Sequence, residues 1–276
     1  MINKISKKEK DLSFWGHLSV LRRHLIRMAV VLFGLAVVAF CYKDFVFDSI
    51  ILPPKSSDFI TNRWMCAVAQ KFNIEGICGQ DQVLQIINVN MAGQFTTHIF
   101  ISIMMALIAG APYLIWEIWR FVKPALKKNE EKYAGRTLFA ASFLFYMGVI
   151  FSYFLIIPIT ISFLGTYQVS EEVVNMVNLN SYISTMMNLM LAVGLVFELP
   201  IIVYFLSKVG IVTPALMKKY RKIMIVTIFL VAAIITPPDV FSQIMVAIPL
   251  YFLYETGIVI STMIARRKRA DEKVKQ

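Results

Sequence analysis

The amino-acid sequence predicts an all-α integral membrane protein that crosses the bilayer six times and keeps both termini in the cytoplasm. Of its 276 residues, 58% are hydrophobic and 16% are charged, whereas a soluble domain has about 45–50% apolar and about 25% charged residues. Apolar runs recur along the chain, and each crossing of a bilayer takes about 20 apolar residues. Lysine and arginine collect in every second connection between these runs, which is the pattern of cytoplasmic loops.

The first four apolar runs have the length of transmembrane helices. They cover about residues 25–42, 95–119, 138–164 and 182–206. The fifth run, about 223–235, is short for a hydrocarbon core of roughly 30 Å. The sixth run, about 240–264, follows almost without a loop because Pro237-Pro238 cannot continue a helix. We therefore expect a concave bundle with short spans five and six, in which the bilayer thins or neighbouring helices shield the fifth span.

The basic residues decide the orientation of the spans. They concentrate in four segments, 4–27, 120–136, 208–222 and 266–275. An even number of spans places all four segments in the cytoplasm. The net charge of +11 would indicate nucleic-acid binding in a soluble protein, but this charge recurs at span ends and forms no single stripe. We therefore expect a multi-pass protein of the bacterial inner (plasma) membrane, in contact with lipid and without a nucleic-acid partner.

The chain is expected to form one membrane domain over residues 1–276. Its parts outside the lipid are a cytoplasmic amphipathic segment, an external cap loop and a basic cytoplasmic tail, at residues 1–24, 44–93 and 265–276. Cys66 and Cys78 both lie in the cap loop, on the oxidising side of the inner membrane. They form a disulfide or remain two free buried thiols, and the sequence leaves both possibilities open.

The sequence contains no residue pattern for catalysis or for a bound cofactor. It has no phosphate-binding loop, dinucleotide fingerprint or catalytic-triad signature. Its three histidines, at positions 17, 24 and 98, are scattered, and no spacing of cysteine and histidine is typical of a metal site. We therefore expect a protein that is not an enzyme and that uses no metal and no cofactor.

Glu198 is a candidate functional residue because it lies inside the fourth apolar run, in the sequence Phe197-Glu198-Leu199-Pro200. A carboxylate in the middle of a membrane is expensive unless it is protonated, hydrated or paired. Pro200 leaves a backbone carbonyl without its helical donor, so we predict a kinked helix that faces a polar cavity or a partner. The alternative is a protonated Glu198 that is hydrogen-bonded inside the bundle.

A second candidate is the acidic pair Glu130-Glu131 in the otherwise basic connection between spans two and three. A carboxylate at this rim can accept a bidentate guanidinium group. By composition alone, the pair is typical of a solvated helix end. Glu117 and Glu255 lie near span ends and receive no role from the sequence.

Five short stretches follow one another in a fixed order between residues 12 and 264. They are His17-Leu18-Ser19-Val20-Leu21-Arg22-Arg23-His24-Leu25, Ala111-Pro112 with Phe121-Val122-Lys123-Pro124-Ala125-Leu126, Leu144-Phe145-Tyr146-Met147-Gly148, Phe197-Glu198-Leu199-Pro200 and Thr236-Pro237-Pro238-Asp239-Val240-Phe241-Ser242-Gln243. Together they resemble the TatC family, whose members are the multi-span core subunit of the twin-arginine (Sec-independent) protein translocase. The last stretch is the most specific of the five.

The resemblance implies a function that hydropathy alone does not give. TatC-like proteins bind the signal peptides of folded precursors through consecutive arginines at the cytoplasmic face. They recruit single-span TatA-like and TatB-like partners into an oligomeric complex and use the proton-motive force to move the cargo. The residues that the resemblance places at the signal-peptide site are Leu21, Arg22, Phe121, Pro124 and Glu130. Those that it places at the concave face or at partner contacts are Pro53, Pro112, Tyr146, Glu198, Pro200, Asp239 and Gln243.

One position departs from the family pattern. The N-terminal motif usually carries a second carboxylate two residues after its His-Leu pair, and here that position is Val20. Glu9 and Asp11 lie too far toward the N-terminus to be equivalent. We hypothesise that Glu131 supplies the missing charge at the signal-peptide site.

The alternative function is a proton-coupled transporter of small solutes that uses Glu198 as its proton carrier. The sequence shows no convincing internal repeat, which weakens the comparison with inverted-repeat transporters. The two functions differ in what crosses the membrane, since one moves a folded protein and the other a small solute.

Overall fold

The structure is a computed structural model that describes residues 14–71, 85–122, 134–167, 170, 176–237 and 240–274. Helices make up nearly all of these residues, as the sequence predicts. In the described ranges, five helical stretches are long and apolar enough to cross a membrane. They are Ser19–Cys41, Gly93–Phe121, Thr137–Gly165, Leu179–Val209 and Ser242–Arg267, and they correspond to predicted spans one to four and six.

The helices and strands follow one another in a simple order. The first part of the chain contains α1 (Phe14–Cys41), α2 (Lys43–Val46), a π-helical turn (Phe47–Ile51), a 3-10 turn (Pro53–Lys55), α3 (Ile60–Lys71), β1 (Ile86–Ile87) and α4 (Gly93–Val122). The middle contains α5 (Ala134–Phe151), a second π-helical turn (Ser152–Ile156), α6 (Ile157–Thr166) and β2 (Val177–Asn178). The last part contains α7 (Leu179–Val196), α8 (Leu199–Val209), α9 (Pro214–Lys219), α10 (Arg221–Ile235) and α11 (Val240–Val274).

The predicted fifth and sixth spans have very different lengths. α10 has 15 residues, or about 22 Å of helix at 1.5 Å per residue, against roughly 30 Å for a hydrocarbon core. A crossing by α10 therefore stays a prediction, and so does the count of six spans. α11 has 35 residues, of which 26 form the apolar span, so the prediction that span six is short was wrong. Lysine and arginine are good helix formers, and the helix continues into the basic tail.

The fourth apolar stretch is interrupted inside the bundle. α7 ends at Val196 and α8 begins at Leu199, so the interruption falls at Phe197-Glu198. Pro200 lies in the first turn of α8, where its missing N–H needs no acceptor and its fixed φ suits a helix start. The structure thus has the break in this helix that the proline predicts.

The segment between α1 and α4 folds onto one end of the bundle, which we call the cap end. The Tyr153 hydroxyl donates a hydrogen bond to the carbonyl of Ile50 at 3.0 Å, and the Tyr182 hydroxyl donates to the carbonyl of Ile51 at 2.7 Å. β1 and β2 pair in parallel, with Ile86 opposite Val177 and Ile87 opposite Asn178. These contacts join the segment to the later helices.

Candidate functional site

The other end of the bundle collects helix ends that carry basic residues. α1 begins there, and α4 and α8 end there, with Trp119 of α4 packed against Phe205 of α8 at 4.5 Å between ring centroids. The guanidinium of Arg120 lies over the ring of Trp116, 5.5 Å from its centroid. We call this region, residues 19–27 with 116–121 and 205–208, the basic end.

A buried carboxylate lies within the basic end. Glu117 has no exposed surface, and its Oε1 accepts a hydrogen bond from Nδ1 of His24 at 2.8 Å. Nη1 of Arg27 lies 3.5 Å from the same oxygen. His24 is itself only 8% exposed, so water screens this contact far less than it screens a surface pair. We call Glu117 with His24 and Arg27 the Glu117 cluster.

Helix spacing explains why these side chains meet. His24 and Arg27 are three residues apart on α1, and Glu117 and Phe121 are four apart on α4, so the members of each pair share a helix face. α1 and α4 run antiparallel. Phe40 near the end of α1 stacks on His98 near the start of α4, whereas His24 near the start of α1 contacts Glu117 near the end of α4. The edge of the His24 ring contacts Phe121 at 5.9 Å between centroids. Through His24, α1 therefore contacts both Glu117 and Phe121 in the last two turns of α4.

Among the described residues, only one of the two carboxylate oxygens of Glu117 has a hydrogen-bond partner. Its Oε2 is buried and has no hydrogen-bond partner within the described ranges. A buried charge is tolerated when it is paired and hydrogen-bonded, and here one oxygen makes the contacts with both His24 and Arg27. The Arg27 side chain is 44% exposed, so its guanidinium also faces water. Glu117 therefore depends mainly on His24 for a buried partner.

The basic stretch of α1 presents its two arginines outward. Arg22 and Arg23 are exposed, Leu21 is partly buried, and His24 turns inward to Glu117. The structure thus brings Leu21, Arg22 and Phe121, three residues predicted at the signal-peptide site, to the same end of the bundle.

Several predicted site residues lie outside the part of the chain that the structure describes. They are Pro124, Glu130, Glu131, Asp239 and Cys78. Their predicted roles stay predictions. Cys66 is disulfide-bonded and Cys41 is a free, exposed cysteine, while the pairing of Cys66 with Cys78 also stays a prediction.

Glu198 lies at the interruption between α7 and α8 and is partly buried. Its Oε1 is buried without a hydrogen-bond partner in the described ranges, and its side chain does not cap α8. A crevice beside the interruption is lined by apolar side chains that include Val193, Phe197 and Leu250. Since Glu198 does not line it, this crevice is not the polar cavity that the sequence predicts.

The other residues predicted to contact partners lie at separate junctions between helices. The Tyr146 hydroxyl of α5 donates to a carbonyl of α4 at 3.1 Å, one turn before Pro112 in the same helix. The Gln243 side chain of α11 donates to the carbonyl of Phe229 in α10 at 3.0 Å, and Pro53 begins the 3-10 turn at the cap end. The structure does not bring these residues into one site. Among the residues it describes, no three His, Cys, Asp or Glu side chains group as a metal site requires.

The sequence prediction gave no role to His24 or Glu117. The sequence shows Glu117 near the end of the second apolar run, and it shows His24 and Arg27 at helical spacing on another predicted helix. This pattern does not say which face of α1 meets α4, and the contact joins residues 93 positions apart.

Comparisons with known proteins give matches along most of the chain. The family model for Sec-independent protein translocase protein (TatC) matches residues 16–249. The Sec-independent protein translocase protein TatC of Blattabacterium sp. subsp. Periplaneta americana (strain BPLAN) is 35% identical over 265 residues, which are 95% of this chain and 100% of the relative. The protein of the same name from Escherichia coli (strain K12) is 37% identical over 186 residues, 67% of this chain and 72% of the relative.

The similarity extends to solved structures. A crystal structure described as that of the twin arginine translocase receptor TatC matches with a TM-score of 0.70 at 28% sequence identity, over 90% of this chain and 99% of that chain. A second crystal structure of this receptor, in DDM, matches with a TM-score of 0.71 at 29% identity, over 89% and 99% of the two chains.

Proposed function

The chain belongs to the TatC family of Sec-independent protein translocase proteins, and on this premise we propose that it is the receptor for twin-arginine signal peptides of folded precursor proteins. It is a multi-pass protein of the inner membrane and a component of a protein translocase. In the proposed function, the arginine pair of a signal peptide binds at the cytoplasmic face. The observation that carries the proposal is the fold match with the structure described as the twin arginine translocase receptor.

In this proposal Glu130 is the main acceptor for the peptide arginines. It lies in a connection that is otherwise basic and that follows Phe121 at the basic end. The two guanidinium groups of the peptide are already well hydrated, so they gain little free energy on binding unless a carboxylate accepts charge-assisted hydrogen bonds from them. Leu21, Arg22, Phe121 and Pro124 flank the bound peptide. Glu131 supplies the second negative charge, because Val20 stands where the family usually has a carboxylate.

The proposed translocation step needs partners and a defined topology. We propose six spans with both termini in the cytoplasm, and an oligomeric complex with single-span TatA-like and TatB-like subunits that is driven by the proton-motive force. The apolar surface of α10 supports a contact with lipid or a partner helix, since Val226 is 70% and Ile234 is 77% exposed. The residues proposed to shape the concave face or partner contacts are Pro53, Pro112, Tyr146, Glu198, Pro200, Asp239 and Gln243.

The proposal predicts that Glu130→Gln weakens signal-peptide binding while the protein stays folded. Loss of a charge-assisted hydrogen bond of about 1.5–3 kcal/mol lowers the affinity about 10- to 100-fold. If Glu130 faces the cytoplasm as proposed, this substitution changes the free energy of unfolding by under about 0.5 kcal/mol, as is usual for surface sites. The measurement is the affinity of purified protein in lipid nanodiscs for a fluorescent signal peptide with an Arg-Arg pair and for its Lys-Lys counterpart.

One control and one further variant accompany Glu130→Gln. Glu272→Gln makes the same substitution in the basic tail and is expected to bind as the unaltered protein does. Glu131→Gln tests the second carboxylate and is expected to weaken binding as well. Unchanged affinity in Glu130→Gln would contradict the proposed role of Glu130, and equal affinity of the unaltered protein for the two peptides would contradict the proposed function.

A further inference from the structure

The proposed peptide site draws on two segments that are far apart in the sequence. One is the stretch of α1 that carries Leu21 and Arg22, and the other is the connection that starts after Phe121 and carries Glu130. The Glu117 cluster joins these two segments directly, because His24 belongs to the first and Glu117 lies one helical turn before Phe121. The cluster is thus a direct side-chain contact between the two segments.

Stability alone is a poor reason for a glutamate at this position. Breaking a buried ion pair is destabilising, but replacing the whole pair by well-packed apolar residues is often neutral or stabilising. Glu117 is fully buried, and taking a carboxylate out of water costs free energy even when it is paired. Two apolar side chains would hold α1 against α4 without this penalty.

A directional contact does what apolar packing does not. The bond from Nδ1 of His24 to Oε1 of Glu117 is 2.8 Å long, and the His24 ring also lies with its edge against Phe121. A hydrogen bond to a carboxylate loses strength when its distance or angle changes, whereas an apolar contact permits sliding. The bond therefore constrains both the rotation of α1 about its own axis and its shift along that axis relative to the end of α4.

We propose that Glu117 is a positioning residue for signal-peptide recognition, and that with His24 it holds the Leu21-Arg22 stretch at a fixed place relative to Phe121 at the end of α4. This proposal rests on the proposed function. Glu117 itself does not touch the peptide, since it is buried and engaged by His24 and Arg27. It acts by keeping the two halves of the site in register.

The decisive variant replaces the hydrogen-bonded pair by an apolar pair, His24→Leu with Glu117→Leu. The double variant keeps buried packing between α1 and α4, and Arg27 remains free to face water. We expect it to fold, with affinity for the Arg-Arg peptide lowered about tenfold and with a smaller preference over the Lys-Lys peptide. A purely structural role for the pair predicts unaltered affinity and preference in the folded double variant, and that result would overturn the proposal.

Two single substitutions keep the test decisive if the double variant does not fold. Glu117→Gln has the shape of glutamate but replaces the carboxylate by a neutral amide, which makes a weaker hydrogen bond with His24 and a weaker contact with Arg27. We therefore expect it to lower the preference for Arg-Arg over Lys-Lys peptide. Glu255→Gln is the matched control, because Glu255 also accepts a hydrogen bond from a basic side chain, Arg221, at 2.6 Å but on α11. We expect Glu255→Gln to leave the preference unchanged. Equal preference in Glu117→Gln and Glu255→Gln would overturn the proposal.

Parallel measurement of Glu130→Gln separates this proposal from the one on which it rests. If Glu130→Gln loses affinity while the folded Glu117 variants bind as the unaltered protein, only the positioning role of Glu117 fails. If the unaltered protein does not distinguish Arg-Arg from Lys-Lys peptide, the proposed function fails, and the positioning role fails with it.

Discussion

Glu198 combines a membrane position with an interrupted helix. It lies between α7 and α8, and one of its carboxylate oxygens is buried without a partner in the described ranges. Such a group is expensive in lipid unless something pairs with it or hydrates it. We predict that Glu198→Ala leaves membrane insertion intact but reduces contact with a single-span partner and reduces export of twin-arginine cargo. Site-directed crosslinking to the partner, together with an export assay, measures both effects.

A matched pair of variants separates charge from shape at this position. Glu198→Gln keeps the size and the acceptor oxygen but cannot ionise, and Glu198→Ala removes all three. Crosslinking and export at the unaltered level in both variants would contradict a functional role for Glu198.

The residues of the candidate site differ in how far the sequence could predict them. The expense of a carboxylate in an apolar run and the effect of a following proline are local, so the sequence indicated Glu198 and the break before Pro200. Glu117 is an equally unusual carboxylate, but its partner His24 is 93 residues away. Only the packing of α1 on α4 shows that Glu117 points into the bundle and not to the cytoplasm.

The contact between α5 and α7 depends on two glycines. A Cβ placed on Gly148 would lie 3.0 Å from Cα of Gly194 and 2.8 Å from Cγ of Phe197, so the helices approach more closely there than any larger residue permits. We predict that Gly148→Ala forces them apart and lowers the free energy of unfolding by about 1–3 kcal/mol. Thermal unfolding of the purified protein in detergent measures this change.

Gly135 provides the control in the same helix. A Cβ on Gly135 meets no heavy atom within 4 Å, so Gly135→Ala is expected to be neutral or to stabilise the helix by up to about 1 kcal/mol. Equal unfolding temperatures for the Gly148 and Gly135 variants would contradict the close packing of α5 on α7.

At the scale of helices, hydropathy predicted where the spans lie along the chain better than it predicted the lengths of the helices. The apolar runs located five spans, and the predicted sixth run, about 240–264, agrees with the span Ser242–Arg267. The helix α11 continues beyond this span to Val274, because helix hydrogen bonds continue through lysine and arginine where apolarity stops. The parallel pairing of β1 and β2 was beyond prediction, since strands of two residues have no periodicity. α10 is short both in the sequence and in the structure.

At the scale of the whole molecule, the two ends of the bundle differ in character. Tyrosine hydroxyls and a strand pair join the cap end to the helices, whereas the basic end carries exposed arginines around a buried carboxylate. The distribution of basic residues predicts that the basic end faces the cytoplasm. The same orientation is required for a receptor of signal peptides, because precursors fold in the cytoplasm before they are exported.

Accessibility labelling of single added cysteines tests this orientation most directly. The parent protein for these variants carries Cys41→Ser, which removes an exposed free cysteine. The labelling of this parent is subtracted from that of each variant. Asn129→Cys lies beside Glu130 in the connection between spans two and three, Asp271→Cys lies in the basic tail, and Ser57→Cys lies at the cap end. A membrane-impermeant maleimide is added to intact spheroplasts and, separately, to lysed ones.

We predict that Ser57→Cys reacts in intact spheroplasts, and that Asn129→Cys and Asp271→Cys react only after lysis. Reaction of Asn129→Cys in intact spheroplasts would place Glu130 on the outer side of the membrane, where no signal peptide arrives, and would contradict the proposed receptor.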